Sequence, residues 1–485
     1  MAEELKGLKP ELVWKYFAEI SKIPRGSKNE KQISDFIVET AKKMGLEARR
    51  DKCLNVLVKK PAAKGRESAR PICLQGHLDM VCEKNKDTVH DFEKDPLELV
   101  VKGNILMANG TTLGADNGIA VATNLALMEE TGVSHGPLEF LFTVDEETGL
   151  TGANNLQPGF VESKTLLNLD SEEEGHIYVG CSGGKNTEGT WKASYENVPK
   201  NFAPVLVTVK GLKGGHSGLE IDKGRGNSIK ILNRVLLALE SIGARIASFE
   251  GGNKSNAIPR EAEALIYVPV KKMNNCSALI SQHNAIIREE FSSVEPELAI
   301  LDEEVKGKKK GKVLKKSIQK KLLQTISALP HGVIKMSADI PGLVETSTNV
   351  AIIRTGSKKI DFVTSQRSSV ASEIDETVQT VQNIFILGGA DANTAEGYPG
   401  WKPNLDSPVL KLAKETYQSL FGKMPEVKAI HAGLECGIIG EKYPGMDMIS
   451  FGPTLEGVHS PDEKIYIDTV EKFWNYLLAI LKNAA

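Results

Sequence analysis

The order of strand-like and helix-like segments along the 485-residue chain constrains its fold more than any other feature. The apolar runs NVLVKK, PICLQG, LEFLFTVDEE and KTLLNLD are typical of β-strands. Helical spacing is found in KQISDFIVETAKKMG, which ends at a glycine, and in NGIAVATNLALMEETG, which separates two of the strands. This alternation predicts an α/β fold with a mixed central sheet flanked by helices.

The alternation stops near residue 186 and returns near residue 398. The intervening segment has the strand-like runs VLVTVKG, EAEALIYVPV, NVAIIRTG and IDFVTSQRSS and the helix-like runs NSIKILNRVLLALESIG and NCSALISQHNAIIREEF. After the turn-rich GGADANTAEGYPGWKPN, the α/β style resumes with helices over SPVLKLAKETYQSLFG and DTVEKFWNYLLAILKNA. We therefore predict one α/β domain from residues 1–186 and 398–485, interrupted by an inserted α+β domain at residues 187–397.

Composition favours a cytoplasmic globular protein. A net charge of -3 predicts neither nucleic-acid binding nor attraction to a membrane surface. No run approaches the roughly 18 apolar residues of a membrane span. The N-terminal MAEELKGLKPELVWKYFAEI predicts an amphipathic helix instead of a signal peptide. Six scattered cysteines without a CxxC pair predict reduced thiols. The lysine-rich run KGKKKGKVLKK at residues 306–316 predicts a solvated loop. It does not predict nucleic-acid binding, because neither aromatic residues nor a wider basic face accompany it.

Acidic and histidine motifs follow several of the predicted strands. Each has an ordinary explanation by itself, such as a helix cap, a solvated turn or a surface imidazole. Together, these side chains at one sheet edge would accumulate negative charge that only cations can compensate. Two divalent metals meet that need, and imidazole with carboxylate suits zinc. The motifs are GHLDMV (His77, Asp79), TLGADNGIA (Asp116), TVDEETGLTGA (Asp145, Glu146, Glu147), LNLDSEE (Asp170) and EGVHSPDE (His459).

In order and spacing these motifs resemble the M20 family of co-catalytic zinc peptidases, and most of all its aminoacyl-histidine dipeptidase branch. The resemblance covers nearly the whole chain, including the position of the inserted domain, which it identifies as a lid. It implies two Zn²⁺ ions per chain, with Co²⁺ or Mn²⁺ as possible replacements. The implied ligands are His77 and Asp170 for one metal, Glu147 and His459 for the other, and Asp116 as the bridge.

The resemblance also implies roles for two neighbours of these ligands. Asp79 would orient His77 through its second ring nitrogen. Glu146 would act as the general base on a metal-bridging water that attacks the amide carbon, and would then protonate the leaving amine. The family further implies a cis peptide bond between Asp116 and Asn117.

Substrate-binding residues are expected mainly in the inserted domain. In this family a histidine in the setting GGHS, here His216, stabilises the tetrahedral oxyanion. Asn256 and Arg367 match positions that bind the carboxylate end of the substrate, and His431 and Glu435 in HAGLECGIIG are further candidates. Because His216 comes from the partner subunit in many members, the resemblance favours a homodimer, unless a duplicated lid lets one chain supply its own histidine.

The predicted function is therefore hydrolysis of dipeptides, preferably Xaa-His. Three other amide hydrolases with the same fold are alternatives: a broader dipeptidase, a tripeptidase and an N-acyl amino acid deacylase. From another class, a catalytically inactive metal-dependent binding protein also stays open. The presence of Asp79 and Glu146 argues against an inactive binding protein, because neither residue is needed merely to hold a metal.

Overall fold

A computed structural model of the protein describes residues 5–305 and 311–484. The chain divides into two compact units. Unit one comprises Met1–Gly180, Trp401–Ala429 and Leu434–Ala485. Unit two comprises Cys181–Gly400 and Ile430–Gly433.

Unit one contains a mixed sheet with helices along the chain between its strands. Its helices are α1 (Glu11–Ile20), α2 (Lys31–Lys43), α3 (Ala115–Glu129), α4 (Glu146–Gly149), α5 (Thr151–Asn155), α10 (Pro408–Phe421), α11 (Glu435–Lys442) and α12 (Ile467–Ala484). Its strands are β1 (Glu47–Arg50), β2 (Val56–Lys60), β3 (Ile72–His77), β4 (Leu99–Lys102), β5 (Ile105–Ala108), β6 (Leu138–Thr143), β7 (Thr165–Asn168), β8 (His176–Cys181), β22 (Glu426–Ile430), β23 (Asp447–Ser450), β24 (Leu455–Glu456) and β25 (Lys464–Tyr466).

The main sheet of unit one has the strand order β1-β2-β6-β3-β7-β23-β8-β22. Strands β6, β3, β7 and β23 are mutually parallel, and antiparallel β1 and β2 follow on one side. Strands β3 and β6 are buried along their whole length, as expected for parallel strands covered on both faces. Because parallel strands end at the same edge, the segments after β3, β6 and β7 emerge together. The predicted α/β fold with a mixed central sheet is confirmed.

Unit two is built on an antiparallel sheet. Its strands are β9 (Gly183–Lys192), β10 (Tyr195–Asn197), β11 (Phe202–Lys210), β12 (Gly215–His216), β13 (Arg245–Gly251), β14 (Ala257–Ile258), β15 (Ala262–Pro269), β16 (Ala299–Glu304), β17 (Lys312–Leu314), β18 (Gly332–Met336), β19 (Val344–Thr355), β20 (Lys359–Ser368) and β21 (Asp391–Thr394). Its helices are α6 (Ser228–Glu240), α7 (Met273–Glu290), α8 (Lys316–Ala328) and α9 (Ala371–Leu387), with a short 3₁₀ turn at Val270–Lys272.

The large sheet of unit two has the order β16-β11-β15-β13-β19-β20-β9-β21, and β18 pairs with β19. Apolar side chains of these strands and of all four helices form one buried core. Leu232 and Leu236 of α6, for example, are buried with Ile266 of β15 in that core. The burial removes apolar surface from water, which is the main stabilising contribution in a layered domain.

Three local predictions are wrong. The N-terminal helix begins at Glu11 instead of near the start of the chain, since Pro10 fits the entry to a helix but not its interior. The strand predicted over LEFLFTVDEE ends at Thr143, and Glu146 opens a short helix instead. In the lysine-rich run, residues 306–310 lie outside the described residues. Beyond them β17 and the start of α8 replace the predicted loop, because Val313 and Leu314 are buried.

Helices α8 and α9 are absent from the sequence prediction, although both have buried apolar faces. Among the described residues, no helix is long and apolar enough to cross a membrane.

Candidate metal centre

Two groups of imidazole and carboxylate side chains share one aspartate at the carboxyl edge of the main sheet of unit one. In the first group, Nε2 of His77 lies 3.2 Å from Oδ1 of Asp116 and 3.5 Å from Oδ1 of Asp170. In the second, Nε2 of His459 lies 3.1 Å from Oδ2 of Asp116 and 2.9 Å from Oε2 of Glu147. The two oxygens of Asp116 therefore face different groups, which is the geometry of a bridging carboxylate.

The local fold explains why these side chains meet. His77 is the last residue of β3, and Asp170 follows the end of β7 by two positions. Glu147 lies just beyond β6, in the turn that forms α4. Asp116 is in the first turn of α3, where it departs from helical geometry with φ -81° and ψ 108°. The sheet edge thus gathers potential metal ligands from separate segments of the chain.

The donor set fits divalent metal. In each group the ligand atoms lie within 4.8 Å of one another. Oε1 of Glu147 and Oδ1 of Asp170 are buried, and neither accepts a well-formed hydrogen bond from any described residue. Buried carboxylate oxygens without a donor are costly unless a cation compensates them. Imidazole nitrogen with carboxylate oxygen is a ligand set that zinc accepts readily.

The pKa shifts of the imidazole and carboxyl groups also indicate that these carboxylates need positive charge beside them. The hydrogen bond to Asp116 raises the pKa of His459 to about 11. Burial opposes protonation of His77, but the charge of Asp170 raises its pKa well above the usual range. Burial raises the pKa of Asp170 to about 6. Without metal, protonated imidazoles therefore balance the carboxylates, and metal binding would release those protons.

Asp79 supports the imidazole of His77 and the turn that carries Glu147. Its side chain is fully buried, and its Oδ1 lies 3.3 Å from Nδ1 of His77. The same carboxylate accepts hydrogen bonds from the backbone N–H groups of Glu146 and Glu147, at 3.0 and 3.2 Å, and from Oγ of Ser27 at 2.8 Å. Burial opposes ionisation of Asp79, but the contact with His77 lowers its pKa to about 2.

Glu146 lies beside the ligands without belonging to either group that shares Asp116. Its carboxylate is close enough to the side chains of His77 and Glu147 to form a third potential ligand group. Burial raises the pKa of Glu146 well above its usual range. The preceding Asp145 has a φ of 52°, in the left-handed region, so the chain turns sharply where it enters α4. A carboxyl group with a raised pKa is suited to proton transfer near neutral pH.

Asn117 ties three of the ligand-bearing segments together. Its Oδ1 accepts a hydrogen bond from the backbone N–H of His77 at 3.2 Å, and its Nδ2 donates to the carbonyl oxygen of Leu169 at 2.9 Å. The peptide bond between Asp116 and Asn117 is cis, as the family resemblance predicts. A side chain on Gly76 would come within 2.5 Å of Oδ1 of Asn117, so a glycine is required there.

Within unit two, four of the predicted substrate-binding residues lie close to one another. Ser217, next to His216, donates its backbone N–H to the carbonyl of Asn256 at 2.9 Å. Nε2 of His431 lies 2.7 Å from Oγ of Ser347, whose strand neighbour is Arg367. Burial, followed by the charge of Arg367, lowers the pKa of His216 to about 4 and that of His431 to about 3.

The fifth predicted substrate-binding residue, Glu435, belongs to unit one. It is completely buried at the start of α11, and its Oε2 accepts hydrogen bonds from Gln75 and Thr143, both at 2.6 Å. Burial raises the pKa of Glu435 to about 7.

The motifs in the sequence do not reveal several residues that support the cluster. Arg25, Ser27 and Glu463 are absent from the predicted site, and the side chain of Asn117 has no predicted role. Asn117 and Glu463 both lie inside the quoted motifs, close to Asp116 and His459 in the sequence. That proximity could have indicated that they support the cluster. Arg25 and Ser27 are far along the chain from the residues that they contact, and no local pattern indicates them.

A carboxylate shared by two imidazole–carboxylate groups at the edge of an α/β sheet is typical of metal-dependent hydrolases. The model of the peptidase family M20/M25/M40 matches residues 73–483. The chain belongs to this family, which confirms the family predicted from the motifs and with it the prediction of a peptidase.

Individual relatives agree with this assignment over the full length. The chain is 43% identical to the cytosol non-specific dipeptidase of Escherichia coli (strain K12) over 480 residues, which cover 99% of each protein. It superposes on aminoacylhistidine dipeptidase from Vibrio alginolyticus with a TM-score of 0.91 at 40% identity, covering 99% of this chain and 98% of that one. Aminopeptidase PepT from Bacillus cereus has a TM-score of 0.57 at 17% identity, over 98% and 99% of the two chains, and shares the fold.

Proposed function

We propose that the protein is a cytoplasmic dipeptidase that uses two divalent metal ions and prefers Xaa-His substrates. Zinc is the metal that we propose for both positions. The observation that carries the proposal is the placement of the two Asp116 oxygens, one facing His77 and the other facing His459. The names of the Escherichia coli and Vibrio alginolyticus relatives support dipeptide hydrolysis.

The proposed ligands are those of the two groups that share Asp116. His77 and Asp170 would hold one ion, Glu147 and His459 the other, and Asp116 both. Zinc at these positions supplies positive charge that lowers the pKa of water toward about 7 and polarises a carbonyl group. Asp79 fixes the ring of His77, and its contacts with two backbone N–H groups keep the turn at Glu147 in place.

Glu146 is proposed as the general base. It would take a proton from the attacking water and then deliver that proton to the nitrogen of the leaving amino acid. Two properties support this role: its carboxyl group lies beside the ligands His77 and Glu147, and burial raises its pKa. The neighbouring Glu147 is left free to act as a ligand.

His216 is proposed to stabilise the oxyanion as a neutral hydrogen-bond donor. Its Nδ1 accepts the backbone N–H groups of Gly218 and Leu219, at 3.3 and 3.1 Å. The neutral ring must then carry its proton on Nε2, which is therefore free to donate. The lowered pKa of about 4 keeps this ring uncharged at neutral pH.

Arg367 is proposed to bind the carboxylate end of the substrate, together with Asn256. The arginine side chain is 6% exposed, and no carboxylate among the described residues pairs with it. Its Nη1 donates to the hydroxyl of Tyr398 at 2.8 Å, and its Nε has no hydrogen-bond partner among the described residues. A buried guanidinium with free donors favours a carboxylate ligand. Predictions that His431 and Glu435 contact the substrate rest on the family resemblance alone.

The inserted domain is proposed to act as a lid and as the surface of a homodimer. Both roles come from the family resemblance. Sedimentation velocity of the purified protein separates the dimer from a monomer that supplies its own His216.

Substrate range is tested with chelated protein, assayed with and without added Zn²⁺. The panel contains Gly-His, β-Ala-His, Gly-Leu, Gly-Gly-His and N-acetylhistidine. Zinc-restored cleavage that is fastest for the two His-terminated dipeptides supports the proposal. Equal rates for Gly-His and Gly-Leu would favour a broad dipeptidase, as the name of the Escherichia coli relative suggests.

The tripeptide and the acylated amino acid in the panel test for a different amide hydrolase. Cleavage of Gly-Gly-His alone identifies a tripeptidase, and cleavage of N-acetylhistidine alone identifies a deacylase. Absence of hydrolysis by a protein that binds two metals refutes the proposal in favour of an inactive binding protein.

A further inference from the structure

The carboxylate of Glu463 receives four consecutive backbone N–H groups. Its Oε2 accepts hydrogen bonds from Leu113 and Gly114, at 2.7 and 2.9 Å, and its Oε1 accepts them from Ala115 and Asp116, at 2.7 and 3.2 Å. The residue is 2% exposed. Every donor at the start of this segment is thus satisfied by one buried side chain, which fixes the path of the backbone that enters Asp116.

Arg25 binds the same segment through a backbone carbonyl group. Its Nη2 donates to the carbonyl oxygen of Gly114, and its Nη1 donates to those of Leu78 and Asp79, both at 3.0 Å. Gly114 has a φ of 65°, and a side chain there would come within 2.5 Å of the guanidinium. The charge of Glu463 also attracts this buried guanidinium. The segment before Asp116 is therefore held from both sides by opposite charges.

These contacts connect two of the three segments that supply ligands to the second group, those of Asp116 and His459. Glu463 stands four residues after His459 along the chain, and it bonds the backbone of Asp116 directly. No hydrogen bond links Glu463 to His77 or Asp170 within the part of the chain that the structure describes. The carboxylate thus links the segment of His459 to the shared ligand Asp116, whereas His77 and Asp170, the ligands that belong to the first group alone, receive no hydrogen bond from it among the described residues.

We propose that Glu463 is a positioning residue for the metal centre, which makes the Asp116–Glu147–His459 group able to hold its ion. The inference rests on the two-metal function proposed above. The competing explanation is that Glu463 merely stabilises the fold, as a buried hydrogen-bonded carboxylate does anywhere. The two explanations differ in what happens to the relative affinity of the two metal positions.

The variant Glu463→Gln distinguishes them. A glutamine side chain keeps one acceptor oxygen, so its amide nitrogen would face two backbone N–H groups and leave them unpaired. Chelated protein is titrated with Co²⁺, and binding is followed by equilibrium dialysis and by visible absorption of the bound ion. We expect two ions on the wild type. On E463Q we expect the first ion to bind nearly as before and the second to need about 10–100-fold more free Co²⁺.

A matched control is Glu139→Gln. Glu139 is also buried, at 3% exposure, and accepts the backbone N–H of Glu162 at 3.1 Å and that of Ser163 at 2.8 Å. It lies outside both groups that share Asp116. E139Q should lower the unfolding temperature and leave both cobalt affinities unchanged.

Unchanged cobalt binding by E463Q overturns the proposal. So does an equal loss at both positions that accompanies a lower unfolding temperature, because that is the result of a structural role. Glu463→Asp, which keeps the charge on a shorter side chain, is measured in parallel and should lie between E463Q and the wild type. If neither variant folds, Glu463 acts in folding and the proposal is wrong. A wild type that binds two Co²⁺ ions without hydrolysing peptides refutes the proposed function and leaves this inference standing.

Discussion

Replacing Asp79 by asparagine tests how much the metal centre depends on a residue that is not itself a ligand. Oδ1 of Asp79 faces Nδ1 of His77 at 3.3 Å and the backbone N–H of Glu146 at 3.0 Å. Its Oδ2 faces the N–H of Glu147 at 3.2 Å and Oγ of Ser27 at 2.8 Å. The asparagine amide has one acceptor oxygen and one NH₂ group, so in either orientation a buried backbone N–H loses its acceptor.

The expected effect of D79N has two parts, a loss of folding stability and a loss of metal affinity or activity. One unpaired buried donor costs about 1–3 kcal/mol of folding free energy. The loss of a carboxylate behind a ligand imidazole lowers metal affinity or activity by about 10–100-fold. The second effect follows from the structure because the Asp79 carboxylate holds both the ring of His77 and the turn that carries Glu147. We therefore expect D79N to be less stable and to need more Zn²⁺ for half-maximal activity.

Three measurements check this expectation: thermal unfolding of the chelated protein, Zn²⁺ dependence of Gly-His hydrolysis, and kcat at saturating Zn²⁺. The control is Asp51→Asn, since Asp51 also accepts backbone N–H groups, from Cys53 at 2.8 Å and Asn55 at 2.9 Å, away from the metal centre. D51N should lose stability and keep the Zn²⁺ dependence of the wild type. A D79N protein that keeps both its Zn²⁺ dependence and its kcat would refute the orienting role of Asp79.

Further predictions concern the general base, the substrate carboxylate and acid stability. Glu146→Ala should lower kcat by about 10²–10⁴-fold while two Zn²⁺ ions still bind, and full turnover would contradict the assignment. Arg367→Met should raise KM for Gly-His and leave KM for its C-terminal amide unchanged; equal effects on both substrates would argue for a structural role. Burial lowers the pKa of His216 and His331 to about 4 and that of His431 to about 3, from 6.5. At these three histidines the unfolded chain binds protons that the folded protein excludes, so these residues act to lower the unfolding temperature as pH decreases from about 6.5 to about 4. His331→Gln should weaken that dependence, and an unchanged pH profile would speak against it.

Local chemistry makes the ligand-bearing motifs recognisable in the sequence. His77 and Asp79 lie at the end of a buried strand, and the DEE motif follows another, so each placement needs only the prediction of one strand and its end. Family resemblance then supplies a role for each ligand position. The structure brings these side chains together at one sheet edge because β3, β6 and β7 are parallel and end side by side.

Where the structure departs from the predicted secondary structure, the cause is the burial of apolar side chains. The lysine-rich run predicts a solvated loop by composition, but Val313 and Leu314 are buried and draw its end into β17. Helix α9 is missing from the sequence prediction although its Val381 and Phe385 pack in the core of unit two. A pattern of charges or apolar residues cannot report which neighbours will cover it.

The α/β character, the family and the residue types at the strand ends can be recognised in the sequence, because they depend on local periodicity and short motifs. The folded chain shows in addition that the two oxygens of Asp116 face different imidazoles, and that Arg25 and Glu463 hold the segment before it. The hydrogen bonds of Glu463 join residues about 350 positions apart in the chain. Such contacts arise when separate segments are packed together, and no spacing within either segment encodes them.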